Sequence, residues 1–204
     1  MEHLIIAISR EFGSGGKFIG EQVAKKLGIP FYDKILLQLT AEQSGLSPEF
    51  LEKSEEQVAG SFLFNLSTAA HAASNFFYQY NVSMSDKAFF AQAAVIRELA
   101  EKESSVIVGR CAEHVLRAHK KCLKVFLFAP LDWRIREVAR DYNMPEHEAR
   151  DRILRVDKGR ANYYRHYTGE AWGDVKNHDL CINTAVSGLE GAVDTIAAMA
   201  RAMG

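Results

Sequence analysis

The chain reads as an α/β domain built on a five-stranded parallel sheet, and three observations carry that expectation. Five short apolar runs, about Leu4–Ser9, Pro30–Tyr32, Ser105–Val108, Leu123–Phe128 and Leu180–Asn183, are rich in aliphatic and β-branched residues. They are continuous and do not alternate with polar residues, which is the pattern of strands covered on both faces. Amphipathic helical patterns lie between them, as parallel strand connections require. The 204 residues and 48% hydrophobic content suffice for one core domain spanning 1–204 with a lid, and a second independent domain is not expected.

The first run leads into Arg10-Glu11-Phe12-Gly13-Ser14-Gly15-Gly16-Lys17, after which a helical pattern begins at once. Three glycines in four positions let the backbone turn and expose its N–H groups, while the following helix points its positive end at the loop. Such a site wants a polyphosphate, and Lys17 would set a mobile cation against it. A full G-x-x-x-x-G-K-[ST] pattern would carry glycine at position 11 and a hydroxyl at position 18, where this chain has Glu11 and Phe18. That hydroxyl ordinarily ligates Mg²⁺, so any metal here is held by other oxygens or through water. Glu11 is one candidate replacement; the alternative is an ion pair with Arg10 beside the loop. The bland reading of the segment is a glycine-rich turn without ligand, and strand, glycines, lysine and helix in this order favour the anion site.

The later elements follow from their own signals. A helix over about Lys17–Leu27 has Ile19, Val23, Ala24 and Leu27 near helical spacing and Gly28 as its stop. Asp33 follows the second run, where it serves either as N-cap of the segment from Lys34 or as a ligand-binding residue. Ser47-Pro48-Glu49 starts another helix. Asp132 is expected to cap a helix running to about Arg140, and Pro145 suits the first position of the next. That helix has Glu146 and Glu148 in its first turn and a basic remainder, loosened at Gly159. An Ala-rich amphipathic helix over Ser187–Met203 closes the chain.

Composition narrows the function classes. With 25 basic and 26 acidic residues the net charge is −1, so no overall field holds the chain on nucleic acid or an anionic membrane. Strand pattern begins within three residues and no apolar run approaches spanning length, so a cytoplasmic protein without leader or membrane helix is expected. Cys111, Cys122 and Cys181 are dispersed and lack C-x-x-C spacing, which argues against a disulfide framework or zinc site. Glu146-His147-Glu148 are consecutive and would splay around a helix, a solvated first turn and no ligand set. Between Ser54 and Asp86 there is no Lys or Arg, yet Phe62, Phe64, Phe76, Phe77, Tyr78 and Tyr80 occur. An aromatic segment without cations cannot grip phosphate, so this insert at about 54–90 is expected to pack on a second subunit, making a homodimer, or to act as a flap.

Four further stretches complete a likeness: Gly28-Ile29-Pro30-Phe31-Tyr32-Asp33, Val106-Ile107-Val108-Gly109-Arg110, Tyr163-Tyr164-Arg165-His166-Tyr167-Thr168-Gly169 and Asp179-Leu180-Cys181-Ile182-Asn183. With the loop, they make the chain resemble the cytidylate kinase-like family over nearly its full length. The resemblance implies a three-layer fold of the P-loop NTPase type, with a helical insert and a lid-like basic region at about 145–172. It also implies ATP, with Mg²⁺, as phosphoryl donor and a nucleoside monophosphate, CMP or dCMP first, as acceptor.

Residue by residue, Gly13, Ser14, Gly15, Gly16 and Lys17 match the donor-phosphate loop. Asp33 falls where the monophosphate site begins. Gly109-Arg110 matches an element whose arginine holds the acceptor phosphate, a contact that suits a planar guanidinium. Asp157 and Arg160 fit part of an R-x-x-x-D-x-x-R lid pattern, with Arg155 and Arg152 near the first arginine, whose own position holds Ile153. Catalysis is therefore expected from Lys17, Arg110 and Arg160, and acceptor binding from Asp33, Arg110, Arg155, Asp157 and Arg160. The competing reading for the helix arginines is a solvated face, and for Asp157 a surface pair with Arg160. The family's aspartate after Gly-Arg is Cys111 here, and its arginine after Asp33 is replaced by Ile35-Leu36-Leu37. These departures keep a second class open, a dimeric protein of the same fold that binds a nucleotide or other phosphorylated ligand without transfer.

Overall fold

In the computed structural model, which describes residues 3–51 and 83–203, five strands form one parallel sheet. They are β1 (Ile5–Arg10), β2 (Phe31–Tyr32), β3 (Ser105–Val108), β4 (Cys122–Phe128) and β5 (Leu180–Asn183), arranged in the order β2-β3-β1-β4-β5. The expected fold class is thus observed, with β1 at the centre, paired in register with β3 through Ile6 and Val106 and with β4 through Ile6 and Leu123. Side chains alternate across a strand. Ile5 and Ala7 therefore enter one core and Ile6 and Ile8 the other. Both sets are buried, which is why β1 reads as an unbroken apolar run.

Among the described residues the helices include α1 (Gly16–Leu27), α2 (Lys34–Ser44), α3 (Met84–Lys102), α4 (Ala112–Val115), α5 (Leu131–Tyr142), α6 (Glu146–Thr168) and α7 (Thr184–Met203), and residues 48–51 are helical where Ser47-Pro48-Glu49 signals a start. The core of Ile6 and Ile8 is closed by Ile19 and Val23 of α1 and Val193 and Ile196 of α7. The opposite core takes Leu36 of α2, Phe89 and Ile96 of α3, and Tyr163 and Tyr164 of α6. A separate cluster of Ile135, Val138, Ala149 and Ile153 joins α5 to α6, with Phe12 of the loop packed against it. This cluster ties the helical pair to the loop as well as to itself.

Several local expectations are corrected. Asp132 does not cap α5; the N-cap is Pro130, and Asp132 sits in the first turn where its charge faces the positive helix end. Pro145 is the N-cap of α6 and not its first residue. Gly159 loosens nothing: α6 continues to Thr168, and Gly159 is a buried position within it, small enough for close packing. The last helix starts at Thr184 and breaks at Gly188, whose φ of 67° and ψ of 168° only glycine adopts without strain. Asp33 does occupy the N-cap of α2, but its side chain makes no capping hydrogen bond. Gly28 stops α1 in the left-handed conformation as expected. Of the aromatic insert, the expectation on residues 54–82 lies outside the described residues; Ser83 accepts a hydrogen bond from the Asp86 N–H and caps α3.

Candidate active site

At the carboxyl ends of β1 and β3 opens a cleft of about 1260 Å³, walled by the glycine loop, the start of α2, and the facing sides of α5 and α6. In open parallel sheets this is where ligands collect. Of the residues singled out by sequence, Gly13, Gly15, Gly16, Lys17, Asp33, Arg110, Arg155 and Arg160 all line it. Ser14 and Asp157 do not. Ser14 is fully buried, and both its N–H and its hydroxyl donate to the Glu11 carbonyl, at 3.3 and 2.9 Å. It holds the loop in shape from below.

Gly13 and Gly15 both have φ of 83°. A β-carbon would stand 2.7 Å from Val138 Cγ2 at the first and 2.5 Å from Leu189 Cδ2 at the second. Backbone curvature and lack of space thus both demand glycine. Helix α1 begins at once, with Gly15 as an N-cap that offers its first turn no side-chain acceptor. Helix N-terminal donors left this way suit an anion. Lys17 extends from that turn with its side chain 66% exposed, and its ammonium lies 3.7 Å from Glu21 one turn along.

Glu11 does not pair with Arg10. Its carboxylate accepts from the Ala129 N–H at 3.1 Å and lies 3.3 Å from Arg134 Nε. Burial pushes its pKa up, against the pull of the Ala129 N–H and the Arg134 guanidinium. Asp157 likewise has Arg134, and not Arg160, as its ion-pair partner. Its carboxylate accepts from Arg134 Nη1 at 2.5 Å and from the Phe12 N–H at 2.7 Å. Arg134 also donates to the carbonyls of Ala129 and Phe12, each at 3.0 Å, and is only 6% exposed. Arg160 completes the tie by donating to the Arg10 carbonyl at 3.0 Å. Two arginines, two carboxylates and five backbone groups therefore hold Arg10–Phe12 to Ala129, α5 and α6.

Sequence reasoning missed Arg134. The signal was available: Arg134 and Val138 are four apart on α5 and share its apolar side, and a cation on such a stripe asks for a buried partner. Also missed was Glu113 on α4, which is 2% exposed and accepts from the Ser9 hydroxyl at 2.8 Å. Burial raises its pKa, while Ser9, His178 and Arg10 counter that shift.

Across the cleft, the turn after β3 runs through three successive left-handed residues, Gly109, Arg110 and Cys111, with φ of 81°, 59° and 52°. Two of the three are not glycine, a strained conformation of the kind that functional sites retain. The turn aims Arg110, 8% exposed, at the cleft. On the α6 side, Arg152 lies over the Tyr142 ring at 4.1 Å and Arg160 over Phe12 at 5.7 Å. Stacking of this kind fixes a guanidinium plane and leaves its edge for an anion.

A glycine loop at a helix start, a lysine beyond it and arginines on two other walls all face this one cleft. Residues 5–186 match the model of the cytidylate kinase-like family. The chain belongs to that family. Among its relatives is the cytidylate kinase of Methanopyrus kandleri, 31% identical over 97 residues, a match that spans 44% of this chain and about half (50%) of that protein. The crystal structure of an uncharacterized protein from Eubacterium ventriosum is similar over 98% of this chain and 99% of its own, with a TM-score of 0.71 and 27% identity. A shikimate kinase from Bacteroides thetaiotaomicron, at 19% identity and a TM-score of 0.53 over 97% of this chain and 98% of its own, shares the fold.

The cleft does not fit Mg²⁺ as an ordinary phosphate loop does. Phe18 stands in place of the metal-ligating hydroxyl and lines the cleft, and the Ser14 hydroxyl is turned inward. Among the described residues no cluster of three or more His, Cys, Asp or Glu side chains can hold a metal. Glu11 lines the cleft, but its carboxylate is engaged by Ala129 and Arg134. No described helix is long and apolar enough to cross a membrane.

Proposed function

We propose that this protein is a phosphotransferase that moves the γ-phosphoryl group of ATP to a nucleoside monophosphate, with CMP or dCMP as the first acceptor to test. The observation that carries this reading is the convergence of the glycine loop and Lys17, the Asp33–Arg110 side, and Arg155 with Arg160 on one cleft. A protein that holds a single phosphate has no use for cations on three walls.

In this reading the N–H groups at the start of α1 hold the donor phosphates and Lys17 neutralises charge on the β and γ groups. Arg110 grips the acceptor phosphate through two parallel hydrogen bonds. Asp33 contributes to the acceptor side, and Arg155 and Arg160 close the third wall over the transferring group. An acceptor phosphate oxygen bonds to the γ-phosphorus as the β–γ bridging bond breaks, leaving ADP. Little covalent work is asked of the protein, because alignment and charge neutralisation lower the barrier. Mg²⁺ is expected to travel with ATP.

Phe18 and the use of Asp157 as a loop support favour the second reading, a binding protein of the same fold without transfer. A test separates them: calorimetric titration with a non-hydrolysable ATP analogue, then with each nucleoside monophosphate, followed by a coupled ADP-release assay. Joint binding of analogue and CMP with ADP release supports the kinase. Binding without release supports the second reading, and binding of neither removes both.

A further inference from the structure

Arg10 has no assigned role, yet it sits where the two halves of the cleft meet. It is the last residue of β1. Its aliphatic stem lies on Gly16, where a β-carbon would stand 2.6 Å from Arg10 Cγ and 2.9 Å from Cβ. Its guanidinium lies on Gly109, where a β-carbon would collide with Nη1. Gly16 is not among the glycines with positive φ, so its backbone has no need of glycine. At Gly16 the requirement comes from the Arg10 stem; Gly109 needs glycine for its φ of 81° in any case, and its bare α-carbon gives the Arg10 guanidinium a place to lie.

That side chain faces ligand space. Arg10 lines the main cleft and also a chamber of about 20 Å³, large enough for one water, whose other walls include Arg110 and Arg160. Among the described residues its guanidinium makes no hydrogen bond and no ion pair within 4 Å, and its one recorded electrostatic partner is the buried Glu113 carboxyl. A guanidinium carries five N–H donors in a rigid fork, and here, half-buried at the edge of the cleft, they are left to water and so are available to an anion. A cation already in place also meets the shortage created by Phe18, which gives the loop no oxygen for a metal.

We infer that Arg10 is a phosphate-gripping catalytic residue, bridging the glycine loop and Arg110 and supplying fixed positive charge between donor and acceptor phosphates. Its catalytic part rests on the phosphotransferase reading; its anion-binding part does not.

The test measures binding of inorganic tripolyphosphate in EDTA, and of ATP with and without Mg²⁺, to the full chain and to Arg10→Met and Arg10→Lys. Arg10→Met should weaken tripolyphosphate binding in EDTA by about 10- to 100-fold, the span of one charge-assisted contact. Arg10→Lys should recover part of that loss, since the charge returns without the fork. ATP binding by Arg10→Met should become more dependent on Mg²⁺ than that of the native chain. Arg10→Met/Glu113→Gln removes the buried carboxylate with its counter-charge and replaces Arg10→Met if the single variant does not fold. Native-like binding by a folded Arg10→Met or double variant overturns the inference whatever the activity. If the native chain binds tripolyphosphate, loses it in Arg10→Met and transfers nothing to any nucleoside monophosphate, the anion-binding part of the inference stands, and its catalytic part falls with the kinase reading. A native chain that binds neither probe overturns both.

Discussion

The two sets of cations around the loop are built to opposite rules. At the loop's root, Arg134 is buried and spends its donors on Glu11, Asp157 and two carbonyls. Within the cleft, Lys17 is mostly exposed, with one loose pair to Glu21, and Arg10 offers its guanidinium to open space. Arg134, buried and held by two carboxylates and two carbonyls, is thereby architecture. A cation that is to meet a ligand must be left under-satisfied, so it becomes chemistry. Positive charge near a phosphate loop therefore divides into a group that shapes the site and a group that works in it.

The sharpest way to break this comparison is at the root. Asp157→Ala should cost about 3 kcal/mol of stability, the lower end for a severed buried pair, because Arg134 loses a carboxylate and the Phe12 N–H its acceptor. Chemical denaturation measures it, and a loss below ~0.5 kcal/mol, the level of an ordinary surface change, would dissolve the distinction.

The opposite pattern is expected in the cleft. Lys17→Ala and Arg110→Ala should each lower kcat/KM by roughly 10²-fold, the scale of removing one aimed charge. For Lys17→Ala the melting temperature should hardly move, since an exposed pair of this kind contributes little. Normal turnover in either variant would remove that residue from the mechanism.

The smallest effect tests the buried carboxyl behind Arg10. Because burial raises the pKa of Glu113, the folded chain binds its proton more tightly than the unfolded chain. Glu113 therefore makes stability rise as pH falls through its raised folded value towards the ordinary carboxylate range, and fall as pH rises. Glu113→Gln should flatten that component in a series of denaturation curves across pH. An unchanged slope would mean that Ser9, His178 and Arg10 offset the burial completely.

Much of the fold was legible because its signals are local. Unbroken apolar runs marked all five strands, and Gly28 marked the end of α1 within a few residues of each other along the chain. The boundaries that failed did so where packing outweighed local preference: Gly159 stays helical because its small size suits the buried face of α6, and α7 starts three residues earlier than its pattern, across the break at Gly188. Of the ten residues that the sequence proposes for a site, eight line one cleft, because the loop and the strand ends that carry them are local signals. Ser14 and Asp157 were named for contact with ligand, but Ser14 bonds to the Glu11 and Leu127 carbonyls and Asp157 to the Phe12 N–H and Arg134, and side-chain direction is not written in a motif.

By itself, the sequence determined the sheet, the glycine loop and the family, because strand burial, glycine backbone freedom and helix starts are decided by neighbours in the chain. Only the tertiary structure decided which charges act and which hold. Those decisions are contacts between residues far apart: Arg134 to Phe12 across 122 positions, Asp157 to Phe12 across 145, Glu113 to Ser9 across 104. A charge's role is set by what surrounds it once the chain has closed, and burial removes water as a partner only then.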